Sequence, residues 1–264
     1  MIDIHTHILP GIDDGASSLE EAYEMALMAV RSGVKGLVVT PHSNQRGNLG
    51  DDERCKQETA FGELEQLLLR EQVPLKLYRG MEIWSSIDMT EKIKSGKLIT
   101  LNQTPYALVE FGFDEEPWWI EAIVDELKGA GLIPIIAHPE RYYCVQEDPE
   151  LLYGWRMQGA LAQMNKGSIL GRFGREIERT AEILLKKHLF ACIASDAHHA
   201  YIRTTDMRAL QYYLQRHYSQ EEQDQREQWE KDARRDYWLH LPHRIGRKLL
   251  GDGLYEKLKR WFGR

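Results

Sequence analysis

Eight imidazole and carboxylate residues stand where apolar runs of this 264-residue chain give way to loops: His5, His7, His42, Glu82, Glu110, His138, Asp196 and His198. Side chains alternate faces along a strand, so His5 and His7, at the end of Met1-Ile-Asp-Ile-His-Thr-His, point the same way. Asp196 and His198 repeat that spacing. Any one of these residues alone is an ordinary polar residue leaving a strand; the set is a metal centre. Imidazole nitrogen and carboxylate oxygen without thiolate suit Mn²⁺, Fe²⁺, Zn²⁺ or Mg²⁺ and disfavour copper(I) and iron–sulfur clusters. The donors are too many for one ion, whereas two or three ions with a bridging carboxylate such as Glu82 would use them. Such a centre makes hydroxide from bound water near neutral pH and clamps the attacking and leaving oxygens of a phosphoryl transfer. It needs no protein nucleophile, which agrees with the lack of a Cys-x5-Arg loop or a Ser/His/Asp pattern. Arg141 follows His138 closely and Arg203 follows His198, and a guanidinium fork matches phosphate oxygens.

These donors need strands to carry them. After the first strand, residues 8–15 form a loop rich in Pro, Asp and Gly, in which the adjacent Asp13 and Asp14 are turn formers or hard-metal ligands, the turn reading being favoured by the local sequence alone. Ser17 and Ser18 cap a helix with Glu20 and Glu21 in its first turn. Its apolar residues Ala22, Met25, Ala26, Met28 and Ala29 keep helical spacing; it runs to Arg31 and stops at Gly33. A strand over 34–39 leads to His42, and the polar stretch 43–53 reads as an active-site loop. A helix over 54–72 returns to a strand over 75–81 that ends at Glu82. A short helix over 89–94 precedes a strand over 106–109 ending at Glu110. A helix over 118–128, stopped by Gly129 and Gly131, precedes the apolar strand 132–137, buried on both faces, which ends at His138-Pro139-Glu140-Arg141. A helix over 151–158, a strand over 160–164 leading to Asn165-Lys166-Gly167-Ser168, a helix over 175–187 and a strand over 189–194 complete the series. The last strand ends at Ser195-Asp196-Ala197-His198. About seven strand–helix alternations imply a parallel sheet, and a closed barrel gathers its strand ends on one mouth.

The length admits one α/β barrel as a single domain. A hydrophobic share of 42% with 28% charged residues describes a globular protein, and the net charge of -7 argues against general nucleic-acid binding. No apolar run is long enough to span a bilayer, and no signal peptide is read at the N-terminus. Cys55, Cys144 and Cys192 are scattered, as reduced cytoplasmic thiols are. Composition shifts only after the barrel, dividing the chain at 1–218 and 219–264. Residues 219–235 read as an exposed polar helix or a mobile segment, and 243–264 as a basic amphipathic tail with seven Lys/Arg against two Asp/Glu. Packing on the barrel and contact with an anionic membrane surface are both open for that tail.

The first strand, the Asp13-Asp14-Gly15 loop, Thr40-Pro41-His42, Glu82, Leu108-Val109-Glu110-Phe111, His138-Pro139-Glu140-Arg141 and Ser195-Asp196-Ala197-His198 together resemble the PHP (polymerase and histidinol phosphatase) superfamily. More closely, they are similar to its manganese-dependent protein-tyrosine phosphatases of Gram-positive capsule and exopolysaccharide loci. The resemblance spans about residues 1–215. It implies a distorted (β/α)7 TIM-like barrel and a trinuclear centre held by His5, His7, Asp14, His42, Glu82, Glu110, His138, Asp196 and His198. The ions are Mn²⁺ foremost, with Fe, Zn, Mg or Co as alternatives. Arg141 and Arg203 match the phosphate-binding arginines. The implied substrate is phosphotyrosine on a partner tyrosine autokinase, and the implied reaction is in-line attack by a hydroxide bridging two ions. Asp196, His42 and Asp14 are all candidates for the acid that protonates the leaving phenolate. Trp84, Tyr106 and Phe111 are candidates for stacking on a tyrosine ring, with plain packing as the competing role for each. A histidinol-phosphate-like phosphatase and a non-catalytic metal-bound regulator of the kinase are the alternative functions.

Overall fold

The computed structural model describes residues 1–43 and 51–217, with the backbone alone at 51 and 52. Most of the expected 43–53 loop, the 219–235 segment, the basic tail and the division at 218 therefore lie outside the described residues. Eight strands are present among them: β1 (Ile2–Thr6), β2 (Gly36–Val39), β3 (Lys76–Arg79), β4 (Glu82–Trp84), β5 (Tyr106–Glu110), β6 (Ile133–Ala137), β7 (Leu161–Asn165) and β8 (Cys192–Ala194). The helices are α1 (Leu19–Arg31), α2 (Asp51–Arg70), α3 (Met89–Lys94), α4 (Pro117–Gly129), α5 (Tyr143–Glu147), α6 (Leu151–Gln158), α7 (Lys166–Ile169), α8 (Arg175–Lys186) and α9 (Arg208–His217). Among these helices none is long and apolar enough to cross a membrane.

All strand pairs are parallel, in the orders β1-β2-β3 and β4-β5-β6-β7-β8. Two seams join these sheets into a ring of seven staves, because β3 and β4 are halves of one interrupted run. At one seam Thr6 bridges to Ala197, with His7 N donating to Ala197 O (2.8 Å) and Asp196 N to His5 O (3.0 Å). At the other His42 bridges to Glu82, with Glu82 N donating to Pro41 O (3.1 Å) and Ser43 N to Glu82 O (2.9 Å). Both seams thus close through candidate site residues, so closing the barrel and assembling the site are one event.

The interruption corrects one expectation. Glu82 opens β4 instead of ending a strand. β3 pairs with β2 up to Arg79, the run breaks at Gly80-Met81, and β4 resumes against β5 with Glu82 opposite Leu108. A Cβ at Gly80 would sit 2.7 Å from Val38 Cγ1, so only glycine lets the chain pass there. Glu82 consequently lies deeper in the mouth than Glu110, which pairs with Trp84.

Two apolar clusters sort the strand faces. The larger unites Leu37, Val39, Ala107, Val109, Ile136, Met164 and Ile193 with helix residues such as Met25, Ile123 and Leu184, and is the barrel's outer layer. The smaller contains Val38, Tyr106, Leu108, Ile135, Ala137, Cys192 and Ala194 with no α-helix residue, and fills the barrel. The expected helix ends hold where caps set them. Ser18 accepts from Glu21 N (3.2 Å) at the start of α1, and Gly159 at φ 100 ends α6. The turn over Pro139–Arg141 and helix α5 were not expected.

Candidate metal centre

The nine residues of the expected ligand set meet at the C-terminal mouth of the barrel. Glu82 is the hub: its Oε1 lies 3.2 Å from His5 Nε2 and 3.0 Å from His138 Nε2, its Oε2 3.3 Å from His7 Nε2 and 3.0 Å from His42 Nδ1. Glu110 approaches His42 Nδ1 (3.6 Å) and His138 Nε2 (3.5 Å). Asp196 Oδ1 faces His5 Nε2 (3.5 Å), His7 Nε2 (3.6 Å) and His198 Nδ1 (3.6 Å). Asp14, exposed at the rim, sets Oδ1 3.3 Å from His42 Nε2 and 3.4 Å from His198 Nε2.

Backbone strain helps to aim these groups. Ala137 fills the barrel, so strict alternation would turn His138 outward. A left-handed backbone at His138 (φ 33) breaks the alternation and brings its ring back to Glu82. Asp196 (φ 47) and Arg203 (φ 53) are also left-handed, a conformation that costs a non-glycine residue of order 1–3 kcal/mol and persists where surroundings impose it. Gly15 is required for a different reason: a Cβ there would lie 2.0 Å from His7 O.

Several residues that hold the donors were missed. Asp13, read as a turn former beside Asp14, has Oδ2 accepting from His7 Nδ1 (2.8 Å) and His42 N (3.1 Å), and Oδ1 accepting from Gly15 N (3.0 Å). The signal was its Asp-x-Gly turn one histidine span after His7. Gln163, Asn165 and Glu140, all buried, support His5, Asp196 and the backbone of Asn165. Lys166 is buried and donates to Thr204 O and Asp206 O, pinning the loop that carries Arg203; burial lowers its pKa to about 8.

Both arginines converge on Asp196 Oδ2: Arg203 by an ion pair, Arg141 through Nη1 at 3.8 Å. Arg141 lies against two aromatic rings and Arg203 against one. Arg141 Cζ lies 4.4 Å from the Phe113 centroid and 4.9 Å from that of Phe173, and Arg203 Cζ 5.7 Å from Phe173. Neither phenylalanine was among the expected aromatics. Tyr106 starts β5, at the end away from Glu110, and fills the barrel. Phe111 is buried against Tyr142, and Trp84 is half-buried.

The electrostatics are those of a cation site. Burial opposes charge on His7, yet hydrogen bonds with Asp13 and Glu82 lift its pKa to about 9. Burial likewise opposes charge on His42, but Asp14 and Glu82 lift it to about 11. Against the cost of burial, the surrounding histidines hold Glu82 well below the carboxylate range, and His5 with Arg203 does the same for Asp196. Hydrogen bonds with His198 and His42 keep Asp14 ionised. Burial and the like charge of Glu82 raise Glu110 to about 7, and burial lowers His138 to about 4. So many carboxylates packed together require positive charge among them. The donors fit metal ions in that role. His5 Nε2 and His7 Nε2 stand 3.1 Å apart around Asp196 Oδ1, and among the described residues His138 Nδ1 is buried without a partner. Three groups of donor atoms lie within ion-binding reach of one another: His7, Asp14, His42 and His198; His5, His7 and Asp196; and His42, Glu82 and Glu110.

Residues 1–227 match the family described as capsular polysaccharide synthesis, CpsB/CapC. The chain belongs to the CpsB/CapC family. It is 36% identical to the tyrosine-protein phosphatase YwqE of Bacillus subtilis over 221 residues, which is 84% of this chain and 86% of YwqE. A solved structure described as one of the "unique metal-dependent tyrosine phosphatases" YwqE from B. subtilis and CpsB from Streptococcus pneumoniae superposes with a TM-score of 0.77 at 36% identity. It covers 84% of this chain and 89% of that one. Histidinol phosphate phosphatase from Lactococcus lactis, solved with zinc, L-histidinol and phosphate, matches with a TM-score of 0.50 at 15% identity, over 81% of this chain and 93% of its own. That likeness extends the shared barrel fold beyond the family.

Proposed function

We propose that this CpsB/CapC family member is a metal-dependent protein-tyrosine phosphatase. The observation that carries the reading is the convergence of nine nitrogen and oxygen donors with two arginines at one barrel mouth. His5, His7, Asp14, His42, Glu82, Glu110, His138, Asp196 and His198 would hold two or three divalent ions, manganese foremost. When bound, such ions supply a nucleophile derived from water near neutral pH and Lewis acidity toward phosphoryl oxygens. Arg141 and Arg203 bind the phosphoryl group, exchanging their pairing with Asp196 for its oxygens. Phe113 and Phe173 keep the guanidinium planes in place and offer apolar walls to a phenyl ring. Asp13 and Gln163 orient His7 and His5. The three acid candidates, Asp14, Asp196 and His42, all belong to the ligand set, so the leaving-group proton is assigned to none of them singly. Phenolate, with a pKa near 10, needs the proton less than an alkoxide would.

The physiological substrate on this reading is phosphotyrosine on a partner autokinase that governs capsular or exopolysaccharide synthesis. The enzyme is cytoplasmic, and its basic tail, residues 243–264, holds it at an anionic membrane surface; equal failure of the full chain and a 1–242 truncation to co-sediment with anionic liposomes would end that part. The main test measures turnover of a tyrosine-phosphorylated peptide and of histidinol phosphate by full-length protein, before and after chelation. Manganese is then restored, and His5→Ala serves as control. Chelation should abolish peptide hydrolysis, manganese should restore it, and the peptide should be the better substrate. Hydrolysis unchanged without metal, or a preference for histidinol phosphate, would overturn the proposal.

A further inference from the structure

Strand β7 ends in Gln163-Met164-Asn165 and contributes no donor to the metal centre, yet its two amides link the first ligand-bearing strand to the last. His5 Nδ1 lies 2.7 Å from Gln163 Oε1, Gln163 Nε2 donates to Asn165 Oδ1 (2.9 Å), and Asn165 Nδ2 donates to Asp196 Oδ2. His5, Gln163 and Asn165 are fully buried and Asp196 nearly so, so bulk solvent supplies none of them with a substitute partner. We infer that Gln163 and Asn165 form a one-way hydrogen-bond relay that fixes His5 as its Nδ1–H tautomer and leaves His5 Nε2 and Asp196 Oδ1 as the metal-facing lone pairs.

The direction of the relay follows from which groups can donate. Asp196 is paired with Arg203 and, as a carboxylate, only accepts. Asn165 must therefore present its NH₂ to Asp196, which turns its Oδ1 toward Gln163. Gln163 must answer with its own NH₂, which turns its Oε1 toward His5. An oxygen that only accepts requires a proton on His5 Nδ1, and in a neutral imidazole the other nitrogen is then bare. At the far end, Asp196 Oδ2 is occupied by Asn165 and Arg203, so Oδ1 is the oxygen left toward His5 Nε2 (3.5 Å) and His7 Nε2 (3.6 Å). The relay thus selects one atom on each of two ligands for the same ion. Asp13 does this for His7 with a charged acceptor. Two amides do it for His5 without adding another negative charge to a centre already rich in carboxylates. Glu140 Oε1 anchors the relay by accepting from Asn165 N (2.8 Å).

Gln163 and Asn165 are on this account positioning residues, and the inference rests on the metal-centre reading above. The test uses full-length, ¹⁵N-labelled protein loaded with zinc, a diamagnetic probe. Long-range ¹H–¹⁵N spectra report which His5 nitrogen bears the proton, His5 being assigned by comparison with His5→Gln. Chelator competition reports zinc affinity, and thermal melting of the metal-free protein checks folding. In the wild type, His5 should show Nδ1–H with Nε2 bound to zinc. Gln163→Met leaves the Nδ1–H that zinc on Nε2 enforces without an acceptor, and should weaken zinc binding by roughly 10- to 100-fold. Gln163→Glu keeps the acceptor for His5 but loses the donor for Asn165, so the tautomer should survive while affinity still falls. A loss of zinc affinity in Gln163→Glu with unchanged melting of the metal-free protein is not expected of a merely structural role, and it remains readable if Gln163→Met fails to fold. Zinc affinity within twofold of wild type in Gln163→Glu, or an Nε2–H tautomer in the wild type, would overturn the relay alone. A wild type that binds no zinc would overturn the metal centre and the relay with it.

Discussion

Asp13→Asn changes one oxygen to NH₂ at constant size, at a residue that is not itself in the expected ligand set. Its two oxygens accept three hydrogen bonds, from His7 Nδ1 (2.8 Å), His42 N (3.1 Å) and Gly15 N (3.0 Å). Either orientation of the new amide sets NH₂ against a donor: toward His7 and His42, or toward Gly15. A lost charge-assisted hydrogen bond costs about 1.5–3 kcal/mol, and a buried donor left unsatisfied costs a similar amount again. Part of that is relieved by loop adjustment, so manganese affinity should fall about 10- to 100-fold, and kcat/KM on a phosphotyrosine peptide should fall comparably. A pH signature separates this cause from general damage. The His7 pKa is raised from 6.5 to about 9 in the fold, against burial, by Asp13 and Glu82. Between these values the native state binds more protons than the unfolded one, so the stabilisation is complete below pH 6.5 and lost as pH rises through 9. It amounts to about 3 kcal/mol in metal-free protein, of which the Asp13 share disappears in the variant. In urea unfolding of metal-free protein, the gap between wild type and Asp13→Asn should therefore be larger at pH 6 than at pH 9. A gap that is constant or widens with pH, or manganese affinity within twofold of wild type, would refute the assignment of Asp13 as the residue that orients His7.

Arg203→Lys should raise KM for the phosphopeptide roughly 10-fold while leaving manganese affinity unchanged, because it loses the fork but not the charge; steady-state kinetics with metal titration checks this. Gly15→Ala should prevent full metal loading, since its Cβ would meet His7 O at 2.0 Å, and metal analysis of the purified variant reads the stoichiometry. Glu140→Gln should stabilise the protein at alkaline pH. Burial raises the Glu140 carboxyl from 4.5 to about 7, so the fold favours its neutral form and loses stability as pH rises between those values. Glutamine keeps the acceptor for Asn165 N and abolishes the titration, so urea unfolding at pH 8 should show a gain of about 2–3 kcal/mol that vanishes at pH 4.5.

The donors that could be read from the sequence and those that could not differ in a physical way. His5 and His7 were legible because period-two alternation assigns a face as soon as one strand is recognised, and Asp196 and His198 by repeating that spacing, although Asp196 at φ 47 lies beyond the end of β8. His42 and Glu110 were legible as polar residues abruptly ending apolar runs. Glu82 was placed at the wrong end of its strand, because the break at Gly80 is imposed by Val38 and Leu101 from other parts of the chain. The facing of His138 was illegible in principle: β6 reads Ile-Pro-Ile-Ile-Ala, apolar on both faces, and the left-handed backbone that turns the ring inward leaves no mark on hydropathy. Family resemblance points to Asp14, while its neighbour Asp13 reads locally as a turn residue, since nothing local tells which carboxylate faces the imidazoles.

The supporting amides left a signal that alternation arguments pass over. Gln163 and Asn165 share a face of β7, two residues apart, and among the seven described staves of the ring, with β3 and β4 taken as one, β7 alone brings no candidate ligand to the mouth. Uncharged amides are costly to bury unless their hydrogen bonds are met, so a pair of them at the inner end of a barrel strand implies partners on the neighbouring strands. Those partners are separated from them by as many as 158 residues in sequence, between His5 and Gln163. No window along the chain contains both. Barrel closure supplies the contact: β1 and β8 meet through His5 and Asp196, and the relay across β7 then ties together the same two residues through their side chains. Backbone and side-chain links between one pair of ligands reinforce each other, so an ion bound by His5, His7 and Asp196 would also clamp the seam that closes the barrel.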